Sequence, residues 1–178
     1  MKHLHVATLA LAALLPIGAQ AALKPGDAAP EFKTTAALAG SPFDFDLAEA
    51  LKKGPVVLYF FPKAFTQGCT IEANAFAEAS PKFAALGARV IGISHDDIDT
   101  LKRFSTEACR DQFAVGSDPR GATIKAYDAA SLLPGVANRI SYVIGQDGKV
   151  VFTHQGSDPI RHVDETLKAV RDLASARR

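Results

Sequence analysis

The chain has 178 residues, enough for one domain with a full core, and its 48% apolar and 22% charged residues form an ordinary globular composition. The formal net charge is +1, no basic block or Arg/Lys stripe is present, and Trp is absent, so nucleic-acid binding has no electrostatic support. The start of the chain is a separate object. Met1-Lys2-His3 is a short positive stretch, Val6 to Ile17 is almost entirely apolar, and Ala19-Gln20-Ala21 is a small-x-small cleavage site. These are the three parts of a secretory signal peptide. The apolar run is short for a membrane anchor, and Pro16 interrupts it near its end. Cleavage after Ala21 is expected, leaving residues 22–178 as one exported domain, most simply in a bacterial periplasm. Removing residues 1–21 takes away Lys2 and no acid, so the mature formal charge is zero.

Residues 22–46 read as largely irregular, because Lys24 to Phe32 holds Pro25, Gly26 and Pro30; Phe43-Asp44-Phe45-Asp46 alternates like a short strand. Leu47 to Lys53 makes a short helical turn, and Gly54-Pro55 breaks the chain before an apolar strand, Val56 to Phe61. A helix is expected from about Cys69 to Leu86. Arg89 to Ser94 is a second strand, apolar enough to be covered on both faces. Asp96-Asp97 can cap a helix over about Ile98 to Ala108. A brief strand, Phe113 to Ser117, precedes a short helix from Asp118-Pro119 to Tyr127. Asp147-Gly148 between Ile140–Ile144 and Lys149–Thr153 is a strong hairpin signal. The last helix starts near Pro159, with Val163, Leu167, Val170 and Leu173 along one face. The order β-α-β-α-β-α-β-β-α predicts an α/β fold: a central mixed sheet flanked by helices, in the thioredoxin layout.

Cys69 stands out in this order, between the strand Val56–Phe61 and an alanine-rich helix. A cysteine in a helix's first turn faces unpaired backbone N–H groups and the positive end of the macrodipole. Such surroundings favour thiolate, the reactive form. Cys109 is the other cysteine; two are too few for a disulfide scaffold, although export permits one bond. His95, His154 and His162 are scattered without ligand spacing, and no P-loop or dinucleotide fingerprint occurs. No metal or cofactor is expected.

Pro62-Lys63-Ala64-Phe65-Thr66-Gln67-Gly68-Cys69 resembles the P-x-x-x-T-x-x-C motif of peroxiredoxins. Gly26-Asp27-Ala28-Ala29-Pro30-Glu31-Phe32 is similar to the family's N-terminal signature. Phe60-Phe61-Pro62-Lys63 and Gly68-Cys69-Thr70-Ile71-Glu72 resemble the branch called PrxQ or bacterioferritin comigratory protein. Arg139 to Ile144 resembles the segment that carries the family's arginine. The resemblance covers residues 23–175 and implies the peroxiredoxin elaboration of the thioredoxin fold. It also implies a thiol peroxidase acting on hydrogen peroxide or organic hydroperoxides through a sulfenic acid at Cys69, recycled by a thioredoxin-like protein. Members of that branch are often monomers, so a monomer is expected.

The residues suit that chemistry. Thr66 can accept a bond from a peroxide and donate to the sulfur. Pro62, with no N–H, can wall off water. A guanidinium from Arg139 can hold a thiolate and polarise the departing oxygen. Each has a plainer reading. Cys69 could be a structural thiol, Thr66 a helix cap, Pro62 a strand terminator and Arg139 a surface charge. Glu72, one turn after Cys69, either orients the arginine or is a solvated helix residue. The branch often places a resolving cysteine five residues after the reactive one, where this chain has Asn74. Cys109 is the candidate resolving thiol, its polar neighbourhood Phe104 to Asp111 suggesting access. An external thiol, an inert Cys109 or an intermolecular disulfide are the other possibilities. Thr66 in place of a first CxxC cysteine argues against a thioredoxin-type thiol–disulfide oxidoreductase. A non-enzymatic exported redox-binding module is the other alternative.

Overall fold

A computed structural model describes residues 22–176; the signal-peptide reading of residues 1–21 lies outside the described residues. A hairpin opens the fold, β1 (Lys33–Leu38) and β2 (Ser41–Asp46), followed by α1 (Leu47–Leu51) and β3 (Val56–Phe60). Next come α2 (Gln67–Ala85), β4 (Arg89–Ser94), α3 (Ile98–Glu107), β5 (Ala114–Ser117) and α4 (Ala122–Ala126). The chain ends with β6 (Ile140–Ile144), β7 (Val150–Gln155) and α5 (Pro159–Ser175). Seven strands form one mixed sheet in the order β2-β1-β5-β4-β3-β6-β7. No helix among the described residues is long and apolar enough to cross a membrane.

The expected α/β sandwich with a mixed central sheet is the observed one. The expectation of an irregular stretch up to Asp46 needs correction: Lys33–Leu38 is a strand paired along its length with Ser41–Asp46. Its residues, Thr and Ala for the most part, carry little hydrophobic contrast, so no alternation announces it. The turn is the missed signal. Ala39 and Gly40 both have positive φ, 49° and 74°, which is the two-residue loop that matches strand twist. The short fourth helix also starts later than expected, after Gly121 in a left-handed conformation.

Central strands are buried on both faces because alternate side chains enter two cores. Val57, Tyr59 and Phe61 pack with α2, α3 and α5; Val56, Leu58 and Phe60 pack with α1, α4 and the N-terminal segment. Two registers then fix the site. β3 runs parallel to β4, so both chains leave the sheet at the same end. β6 runs antiparallel to β3 with Phe60 opposite Ile140, which delivers Arg139 to that end as well.

Tyr59 is fully buried and lies opposite Gly92 of β4. A Cβ at Gly92 would stand 2.6 Å from the Tyr59 ring. Overpacking of that kind costs about 1–3 kcal/mol. Gly92→Ala is therefore expected to lower the urea unfolding free energy by that amount; an unchanged midpoint would show that the ring has room to move.

Candidate active site

Cys69 sits in the first turn of α2, near the positive end of its dipole, with 1% of its surface exposed. The Arg139 guanidinium reaches it, Nη2 standing 3.6 Å from Sγ. The same guanidinium, through Nη1, pairs with Oε2 of Glu72 one turn further along α2. Glu72 is fully buried, so it is the partner of the arginine and not a solvated helix residue. Gly68 makes room: a Cβ there would lie 3.1 Å from Arg139 Nη2. Burial pushes the Glu72 carboxyl up to about 8, against the pull of Arg139.

The loop between β3 and α2 is clamped from the next strand. Asp96 accepts from the Ala64 N–H at 2.7 Å and from the Ser94 hydroxyl at 2.8 Å. Phe65 adopts a left-handed conformation, φ 63°, sparsely populated by bulky residues. It is held edge-on by Phe104 and covered by the Arg103 guanidinium, 5.3 Å from its ring centre. Thr66 occupies the N-cap position of α2 but makes no side-chain capping bond. Its hydroxyl donates to the Lys63 carbonyl at 2.9 Å, so its proton is not directed at the sulfur as expected. Its lone pairs remain available to accept. Pro62 and Arg139 together line an open cavity of about 400 Å³ with Asn138 and Gly156. A larger cavity, about 550 Å³, lies away from the sulfur, between β2 and the end of α2, and has no part in this chemistry.

Residues 25–153 match the AhpC/TSA family. The chain belongs to the AhpC/TSA peroxiredoxin family. It is 38% identical over 124 residues to the chloroplastic peroxiredoxin Q of Triticum aestivum, covering 68% of this chain and 57% of that protein. This chain thus spans little more than half the length of that relative. Its fold is similar to that of peroxidoxin BcpB from Mycobacterium tuberculosis, with TM-score 0.77 and 30% identity over 85% of this chain and 98% of that one. It is also similar to Xanthomonas campestris peroxiredoxin Q, with TM-score 0.69 and 27% identity, covering 79% of this chain and 90% of that one.

In this peroxiredoxin the second sulfur is not where its neighbours suggested. Cys109 is fully buried, correcting the expectation of access. It follows the end of α3, its N–H bonded back to the Phe104 carbonyl at 3.0 Å. Burial, then the Asp111 charge, pushes its thiol well above the ordinary range. Asn74, at the position where a near resolving cysteine was sought, is half-buried on α2. Sequence reasoning gave Gly68 and Ser141 no role of their own, read Asp96 only as a helix cap, a place that Asp97 takes, and set His162 aside for lack of ligand spacing; Ser141 and His162 form a pair. The last two meet in the core, Ser141 Oγ lying 2.8 Å from His162 Nδ1. Burial holds His162 down at about 4.

These two shifts give opposite pH slopes. Glu72 binds its proton more tightly folded than unfolded, so its stabilising contribution is full below about 4.5 and is lost as pH rises through about 8. His162 is depressed, so its contribution is present above 6.5 and is lost as pH falls through about 4. Above 6.5 the Glu72 slope stands without its opposite. Across pH 6.5–8 the wild type is expected to lose on the order of 1 kcal/mol per pH unit relative to Glu72→Gln. Urea titrations of both proteins at several pH values check this; parallel curves would refute it.

Proposed function

We propose that the chain is an exported thiol peroxidase in which Cys69 reduces hydrogen peroxide or an organic hydroperoxide. The observation that carries this reading is the guanidinium of Arg139 3.6 Å from a sulfur in the first turn of a helix. The helix start and the guanidinium both place positive charge beside the sulfur, whose thiolate is the nucleophilic form.

The thiolate attacks one peroxide oxygen. An S–O bond forms as the O–O bond breaks, the sulfur loses two electrons, and the departing oxygen takes a proton to leave as water or alcohol. Arg139 stands where it can stabilise the charge growing on that oxygen. Thr66 accepts a hydrogen bond from the peroxide, and Pro62 borders the approach without a competing N–H. Glu72 is a positioning residue: it holds Arg139 in place and does not touch the reacting atoms.

Cys109 then resolves the sulfenic acid. Its thiolate attacks the Cys69 sulfur, a disulfide forms and water leaves; a thioredoxin-like dithiol restores both thiols. Burial of Cys109 means that its segment must open first. The segment carries its own bias toward opening, because Arg110 and Asp111 both have left-handed backbones, φ 51° and 60°, without being glycine. For Arg110 this costs roughly 1–2 kcal/mol in the closed form. The protein acts as a monomer, reached after removal of residues 1–21, in an oxidising compartment such as the bacterial periplasm.

Cys69→Ser is expected to abolish peroxide consumption. Cys109→Ser is expected to keep the first oxidation and stop at the sulfenic acid, whereas the wild type after one equivalent of peroxide carries a Cys69–Cys109 bond within one chain. Peptide mass mapping with a sulfenic-acid probe distinguishes these. A wild type that retains sulfenic acid at Cys69 beside free Cys109 would transfer the resolving role to an external thiol.

A further inference from the structure

Asp96 is not used up in capping a helix. Its neighbour Asp97 is the N-cap of α3, accepting from the Thr100 N–H at 2.8 Å. Asp96 is instead tied to the ends of β4 and β5 by three bonds. Its N–H donates to Ser94 Oγ at 3.2 Å, the Ser94 hydroxyl donates to its Oδ2 at 2.8 Å, and the Ser117 hydroxyl donates to its carbonyl at 2.7 Å. Held in this way, Oδ2 also takes the Ala64 N–H at 2.7 Å. A backbone N–H given to a carboxylate is among the stronger hydrogen bonds. The Ala64 N–H belongs to the same peptide group as the Lys63 carbonyl, and that carbonyl takes the Thr66 hydroxyl at 2.9 Å. The N–H and C=O of a trans peptide point in opposite directions. One peptide plane therefore runs from Asp96 on one side to Thr66 on the other. Turned over, it would set its carbonyl against the Asp96 carboxylate, two acceptors facing each other, and its N–H toward the Thr66 oxygen.

We propose that Asp96 is a positioning residue for Thr66: by holding the Lys63–Ala64 peptide it fixes where the Thr66 proton goes, and so keeps the lone pairs of Oγ1 for the peroxide O–H. The chain of contact runs from Asp96 after β4, through one peptide group of the loop, to Thr66 at the start of α2. Each link is a hydrogen bond of 2.9 Å or less. A peptide whose N–H is held by a carboxylate is polarised, which makes its carbonyl a better acceptor for the Thr66 hydroxyl. Asp96 acts on the hydroxyl and not on the sulfur, which is held by Arg139 and the start of α2. This role rests on the reading of Cys69 as the nucleophile and of Thr66 as the residue that accepts from the peroxide.

Hydrogen peroxide and iodoacetamide separate the hydroxyl from the sulfur, because only the peroxide needs an acceptor at Thr66. Both reactions are followed by rapid quench and mass spectrometry of the Cys69 peptide. In Asp96→Ala the second-order rate constant of Cys69 oxidation is expected to fall about tenfold. The alkylation rate is expected to stay within about twofold of wild type. Asp96→Asn, which keeps a carbonyl oxygen for the Ala64 N–H, is expected to retain most of the peroxide rate. In a Thr66→Val background, where no hydroxyl is left to orient, Asp96→Ala is expected to add little. An equal fall in alkylation, an undiminished peroxide rate in folded Asp96→Ala, or the full loss repeated in the Thr66→Val background would overturn the proposal. Should Asp96→Ala not fold, Ser94→Ala decides. It removes the hydroxyl that steadies Oδ2 and is expected to slow peroxide oxidation about threefold with alkylation unchanged; an unmoved peroxide rate would overturn the role. A wild type that peroxide does not oxidise would remove the peroxidase reading and this role together, whereas a reactive wild type equalled by Asp96→Ala removes the role alone.

Discussion

A single guanidinium organises this end of the sheet. Arg139 lies between a buried carboxylate and a buried sulfur, with its side chain 11% exposed. Placing a cation there is costly unless it is paired, and so is burying Glu72. Each cost is reduced only where both residues arrive together. The antiparallel register of β6 on β3 supplies Arg139, and the helical spacing from Cys69 to Glu72 puts sulfur and carboxylate on one face of α2. Gly68 then leaves the space through which the guanidinium reaches both.

The two cysteines show how neighbours, not residue type, decide reactivity. Both are buried free thiols. Cys69 has a helix N-terminus and a cation; Cys109 has an apolar cluster and the acid Asp111. The surroundings of the second oppose its ionisation. A second thiol that stays protonated in the closed form does not compete with Cys69 for an oxidant. In the proposed cycle it takes part only once the end of α3 opens.

Much of this was legible in the chain. β4, α5 and the β6–β7 hairpin could be read because a continuous apolar run, a 3.6-residue stripe and an Asp-Gly turn are strong signals in isolation. β1 was not, since Lys33-Thr34-Thr35-Ala36-Ala37-Leu38 owes its place to pairing with β2 and β5, a tertiary effect. Cys69 and Thr66 stood out through their spacing. Arg139 needed the family resemblance, because nothing local says that a residue before a strand reaches a sulfur 70 positions away. His162 left a faint mark: it and Thr166 are polar, one turn apart, and buried beside the Val163–Leu167–Val170 stripe. Polar residues on the covered side of an amphipathic helix ask for partners, and here Ser141 is one. Cys109 misled because Arg110 and Asp111 made its surroundings look polar, while the backbone turns those residues outward and the sulfur inward.

The environments of the two sulfurs are also joined mechanically, through Phe104. This residue of α3 stacks on Phe61 with ring centres 5.5 Å apart and meets Phe65 edge-on at 5.2 Å. Its carbonyl receives the N–H groups of both Ala108 and Cys109. Loosening the end of α3 enough to turn Cys109 outward breaks those backbone bonds at Phe104. Phe65, in its strained conformation, relies on that ring and on Arg103 of the same helix for support. Phe104 thus supports the loop before α2 with its ring and the backbone at Cys109 with its carbonyl. One aromatic ring touches the loop that leads into the first cysteine's helix, and one carbonyl anchors the second.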